Sequence, residues 1–156
     1  MAGQFETRLG ELGIVLPQSP PPAANYVPFV TVGNLVFLAG QIPVRDGVVV
    51  YKGRLGDNVS VEDGYQAARL CAINLIAQIK AAAGGDLGRV SRIVRVGGFV
   101  ACTADFTDQP KVVNGASDLL VAVFGEAGRH ARTAVGAPSL PLGIPVEVDA
   151  IAELRG

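Results

Sequence analysis

Apolar residues recur along this chain at two periods, three-to-four and two, and the switches between them mark its elements. In residues 3–13, Phe5, Leu9 and Leu12 are spaced for one face of a short amphipathic helix, with Glu6, Arg8 and Glu11 between them. LPQSPPPAA follows, and its three consecutive prolines predict an extended connector. From Tyr26 the period shortens. YVPFVTV and LVFLAGQI read as two strands, and the Gly33-Asn34 pair between them predicts a tight hairpin turn. A loop rich in Gly and Asp is expected over residues 45–58.

Ser60 opens the clearest helix. Its hydroxyl can cap the first turn, where Glu62 and Asp63 suit the helix dipole. Val61, Tyr65, Ala68, Ala72, Leu75 and Ile79 form the apolar stripe, and Gly84-Gly85 ends it. SRIVRVGGFVAC reads as a strand, its Gly97-Gly98 pair marking a bulge or a close approach of backbone. A second helix is predicted from Gln109 to Phe124, with Val112, Val113, Ala116, Leu119, Leu120 and Val123 on its apolar side and Gly125 and Gly128 at its end. RTAVGA, opened by Arg132, is a strand, PSLPLGIP a turn, and VEVDAIAEL a strand of strict alternation. The order β-β-α-β-α-β-β after the N-terminal extension predicts an α+β sandwich with two helices on one sheet face. Along the last strand Val146, Val148 and Ala150 point one way, and Glu147, Asp149 and Ile151 the other. A face that mixes polar and apolar residues fits a subunit interface containing a site.

Composition sharpens this picture. The chain has 156 residues, enough for one domain spanning 1–156, with residues 1–22 as an N-terminal helix and connector. Hydrophobic residues make up 49% and charged residues 17%, and so apolar a small chain is expected to bury surface between subunits. A net charge of −1 offers no basic excess to offset nucleic-acid phosphates. Cys71 and Cys102 lie far apart in apolar stretches and read as buried free thiols. The N-terminus lacks a signal-peptide pattern, and no apolar run reaches the roughly 20 residues of a membrane span, so a cytoplasmic location is expected.

Candidate chemistry is sparse. One histidine and no clustered ligands argue against a metal, and no GxGxxG or GxxxxGK supports a nucleotide, so no cofactor is expected. His130, in EAGRHA, reads as an exposed histidine near a helix end. Arg89, Arg92 and Arg95 form the one basic run, but Arg92 and Arg95 face opposite sides of the SRIVRV strand and make no stripe. Arg132 alone would pass for a surface cation, Glu147 for a solvated strand residue, Asn114 for an exposed helix residue and Tyr26 for packing.

Four stretches change that reading: Tyr26 before the first hairpin, LAGQIPV (38–44), VVNGASDLLVAVFG (112–125) and RTAVGAPSLPLGIPVEVDAIAEL (132–154). In these the chain resembles the Rid, or YjgF-like, family, in a longer branch with an N-terminal extension. The resemblance implies a chorismate-mutase-like fold, a mixed sheet with two helices on one face, and a homotrimer. For the family's enamine and imine deaminases it implies hydrolysis of 2-imino and 2-enamino acids to 2-oxo acids and ammonia. Arg132 then matches the residue that binds the substrate carboxylate and Glu147 the acid that orients water, acting as a pair. Tyr26 and Asn114 match residues lining the cleft, and Gly40 and Ala134 match backbone contacts. Ala39 and Ala134 stand where such deaminases carry Ser and often Cys. A non-catalytic protein that binds small carboxylates therefore remains open beside the enzyme. An endoribonuclease or translation inhibitor, a label some members carry, fits the charge poorly.

Overall fold

The computed structural model describes residues 3–18 and 24–156; the proline run predicted as an extended connector falls largely outside them. Helix α1 (Gln4–Glu11) precedes β1 (Phe29–Val32), β2 (Leu35–Gln41), β3 (Val44–Arg45) and β4 (Val48–Val49). Then come α2 (Val61–Ala82), β5 (Val90–Ala101), α3 (Gln109–Phe124), β6 (Ala131–Ala137) and β7 (Val146–Leu154). The sheet order is β1-β2-β7-β5-β6. Only β5 and β6 run parallel, joined by α3 as the crossover that parallel neighbours require. The predicted α+β architecture, a mixed sheet with α2 and α3 on one face, is the one found. No helix among the described residues is long and apolar enough to cross a membrane.

The local signals acted as chemistry dictates. Gly33 takes positive φ and Val32 pairs with Leu35 across a two-residue turn, as glycine at the first central position allows. Ser60 Oγ accepts from the Asp63 N–H at 3.1 Å, capping α2. Ala68, Ala72, Leu75 and Ile79 of the predicted stripe are buried, whereas Val61 and Tyr65, in the first turns, sit nearer solvent. All six predicted apolar residues of α3 are buried. Strand β7 alternates without a break, Val146, Val148, Ala150, Ala152 and Leu154 entering the core. Cys71 and Cys102 are buried and unpaired.

One stretch departs from expectation. Within residues 45–58, read as loop, β3 and β4 form a small hairpin. Asp46 and Gly47 both take positive φ, the geometry that an Asp-Gly turn between two valine-bearing arms supplies. Asn74 of α2 holds this hairpin down by donating to the Ile42 and Val44 carbonyls at 3.0 and 3.1 Å.

Glycines set the layer spacing. A side chain at Gly115 of α3 would collide with the Tyr65 carbonyl of α2, and one at Gly98 of β5 with Val113 of α3. The Gly97-Gly98 pair therefore marks close approach; the register shifts of β5 against β7 lie earlier, between Val90 and Arg95. Helix α1 is clasped to the same assembly. Phe5 meets Phe124 edge-on at 4.9 Å, Glu6 accepts from the Leu87 N–H at 2.9 Å, and Arg8 donates to the Ala122 carbonyl at 3.0 Å.

Gly115→Ala is expected to lower stability by about 2–4 kcal/mol, because backbone, not a flexible side chain, would have to yield. Gly10→Ala, in the exposed part of α1 with nothing near the new methyl, should raise it by about 0.5–1 kcal/mol. Urea unfolding of the two variants beside the parent chain checks both signs.

Candidate functional site

Register decides which way each candidate points. Arg132 pairs with Val96 and Ala134 with Gly98, while across β5 Val96 pairs with Ala150 and Gly98 with Val148. Val96, Val148 and Ala150 enter the core, so Arg132 and Ala134 face the helices. Because β6 is the sheet edge, Arg132 reaches past the core to the flank of α3 and is half-buried there. Its Nη1 donates to Asn114 Oδ1 at 2.8 Å and to Ser117 Oγ at 3.2 Å. Asn114 and Ser117 are one helical step apart, which puts both on the flank facing β6. Ala134 is partly buried against the core and adds no polar atom.

Two further groups extend the cluster. Ser117 Oγ lies 2.9 Å from His130 Nε2, and His130 Nδ1 lies 2.6 Å from the Gly128 carbonyl. The exposed histidine expected here is instead half-buried. Burial, and after it the charge of Arg132, hold its pKa below the usual histidine range, against the opposing pull of the Gly128 hydrogen bond. The Arg132 side chain opens on a shallow depression of about 560 Å³ that also meets Ser117, His130 and Arg129, with Val121 and Ala122 as its apolar wall. Ser117 escaped sequence reasoning and His130 was set aside as a surface residue, although signals existed. Ser117 stands three residues after Asn114, and His130 stands two before Arg132, on the same side of an extended strand.

The other candidates gather elsewhere. Glu147 pairs with Phe99 and so projects from the open sheet face. Gly40 lies where β2 slips register between Leu38 and Gln41, and the Glu147 carboxylate occupies the space a side chain at 40 would need. Burial first, and the charge of Asp149 second, raise the Glu147 pKa. Asp149 is raised as well, by burial, with Arg95 at 4.0 Å pulling it down. Tyr26 is exposed just before β1, the strand at the edge opposite β6. Arg132 and Glu147, expected to work as a pair, therefore face opposite sides of the sheet within one chain. Arg132, Asn114 and Ala134 gather on the helix side of the sheet; Glu147 and Gly40 meet on the open side, and Tyr26 lies apart from both.

The three arginines of β5 and its approach are committed to structure. Arg89 donates to the Arg155 carbonyl, Arg92 to those of Glu126 and Arg129, and Arg95 to Thr133 Oγ1. Among the described residues no group of three His, Cys, Asp or Glu could hold a metal ion.

Residues 6–154 match the family described as "YjgF/chorismate_mutase-like, putative endoribonuclease". The chain is 47% identical over 155 residues to Protein TCP17 of Trypanosoma cruzi, covering 99% of this chain and 96% of that one. A crystal structure of a protein of unknown function from Agrobacterium tumefaciens superposes with a TM-score of 0.91 at 46% identity, over 98% of this chain and 93% of that one. More distantly, E. coli TdcF with bound serine gives a TM-score of 0.59 at 28% identity, over 90% and 94% of the two chains. With the fold, the C-terminal motif and a match across nearly its whole length in agreement, the chain belongs to the YjgF/chorismate-mutase-like family.

Proposed function

We propose that the chain is a hydrolytic deaminase of 2-imino and 2-enamino acids, small carboxylate-bearing metabolites converted to 2-oxo acids and ammonia. The observation that carries this reading is the half-satisfied guanidinium of Arg132. Asn114 and Ser117 take up Nη1, and among the described residues no carboxylate forms a salt bridge with it. A planar fork left free at the mouth of a depression matches a carboxylate in a way lysine cannot. The serine bound to TdcF, itself bearing an α-carboxylate, supports a ligand of this kind.

The two half-sites need a second subunit. Arg132 lies at the β6 edge, whereas Tyr26, Gly40 and Glu147 lie toward the β1 edge and the open face. A head-to-tail ring, here a homotrimer, would set one half against the other. Phe37, Phe99 and Val135, exposed on the open face, favour its burial against another copy. In such a cleft Arg132 holds the carboxylate while water, its proton drawn to Glu147, adds to the imine carbon. That proton passes from Glu147 to the nitrogen, completing the carbinolamine; its hydroxyl then gives up a proton, the amine takes one, and ammonia leaves as the 2-oxo acid carbonyl forms. An imine is already electrophilic, so orienting one water supplies most of what is required.

A binding protein without turnover is the second reading. It is favoured by Ala134, which places no polar side chain beside Arg132. An RNA-directed activity finds little support, because the arginines of the one basic run are spent on carbonyl, hydroxyl and carboxylate partners.

Pyruvate should raise the melting temperature of the parent chain, Arg132→Ala should abolish that shift, and Arg132→Lys should bind about tenfold more weakly or worse. With an amino-acid oxidase generating imine in situ, ammonia release should exceed that in buffer; no acceleration over several amino acids selects the binding reading. Glu147→Gln should cut turnover by about 10²–10⁴-fold while keeping pyruvate binding. Only ionised Glu147 can take the proton, and its raised pKa means that kcat/KM falls with decreasing pH from above the ordinary glutamate range; Glu147→Gln should lack that limb. Light scattering should give a trimer, and a stable monomer at micromolar concentration would separate the half-sites.

A further inference from the structure

Holding a carboxylate calls for a fork, yet Arg132 sits at one end of a chain of hydrogen bonds three links long. Nη1 donates to Ser117 Oγ, Ser117 meets His130 Nε2, and His130 Nδ1 meets the Gly128 carbonyl. A carbonyl only accepts, so Nδ1 carries a proton. Half-burial and the neighbouring guanidinium disfavour a second one, against the pull of the Gly128 hydrogen bond. A neutral ring with its proton on Nδ1 presents a bare Nε2, and the Ser117 hydroxyl must donate to it. The Ser117 oxygen is then left with its lone pairs toward Arg132. Direction is thereby fixed along the whole relay, from Arg132 to Gly128.

We infer that Ser117 and His130 are positioning residues for Arg132: the imidazole anchored on Gly128 sets the Ser117 hydroxyl as an acceptor that, with Asn114, pins Nη1 and leaves the rest of the fork to the substrate carboxylate. This rests on Arg132 being the carboxylate holder. Ser117 is not a nucleophile here. It lies in the middle of α3, where backbone N–H groups are bonded within the helix and none is free to stabilise an oxyanion. Gly128 is fixed in turn, since a side chain there would collide with the Leu120 carbonyl.

The charges around His130 come from every element against it. Arg132 approaches from β6, Arg129 from the preceding turn and Asp118 from α3, while Arg92 of β5 reaches the Glu126 and Arg129 carbonyls at the rim. Asp118 is engaged by the Tyr65 hydroxyl at 2.7 Å, which pushes the tyrosine pKa up to about 12. A carboxylate bound at Arg132 would offset the charge that disfavours imidazolium, so binding and His130 protonation are linked.

His130 is the only histidine in the sequence, so nitrogen NMR of its imidazole needs no assignment. The free protein should show the Nδ1–H tautomer titrating below the ordinary histidine range, and Arg132→Ala should move that titration up. Both readouts are independent of any ligand. Saturating pyruvate should also move it up. Ser117→Ala and His130→Phe should each weaken pyruvate binding about tenfold, and the double variant no more than either alone. His130→Gln, whose amide oxygen can accept from Ser117, should recover most of the affinity and serves as the control for folding. An Nε2–H tautomer with an ordinary pKa, or parent-like binding by His130→Phe, overturns the inference. If the parent and Arg132→Ala bind pyruvate equally, the carboxylate reading fails, and the tautomer with its response to Arg132→Ala decides the relay alone.

Discussion

Helix α3 is held against its surroundings at three points where only glycine leaves room. Gly98 admits Val113 to the sheet, Gly115 admits the Tyr65 carbonyl of α2, and Gly128 tucks the returning turn beneath Leu120. Each contact is set by backbone or by a buried side chain, so it tolerates little displacement. Asn114 and Ser117 lie on the same two turns of helix, so their distance from β6 follows from these contacts. Polar geometry at the edge of the sheet is a by-product of close packing inside it.

Much of this fold was legible because its signals are local. The stripe of α3, the alternation of β7, the Gly33-Asn34 turn and the Ser60 cap each depend on residues a few positions apart, and each holds. The β3–β4 hairpin was missed because arms of two residues show no period; only Asp46-Gly47 announced it. His130 was misread for a related reason. Its sequence neighbours are polar and small, while the groups that enclose it, Ser117 and the Gly128 carbonyl, come from the flank of α3 and from the turn below it.

The candidate residues could be named from the sequence, but their arrangement could not. Alternation tells which residues of one strand share a side, but parity cannot be carried across PSLPLGIP from β6 to β7. Only the common register of both strands with β5 shows that Arg132 and Glu147 diverge. Proximity in one motif is thus compatible with opposite orientation. Glu147 stands on β7, in the middle of the sheet, and Arg132 on β6, at its edge, so neighbouring segments of one motif serve opposite faces.

The clasp of α1 gives the N-terminal segment a reach beyond its size. Phe5 braces Phe124 and Arg8 ties the Ala122 carbonyl, both at the end of α3 from which the chain descends to Gly128. Whatever is joined to, trimmed from or bound against the first dozen residues loads that end of the helix directly. The segment is a lever whose short arm ends at Ala122, in the wall of the depression that Arg132 lines.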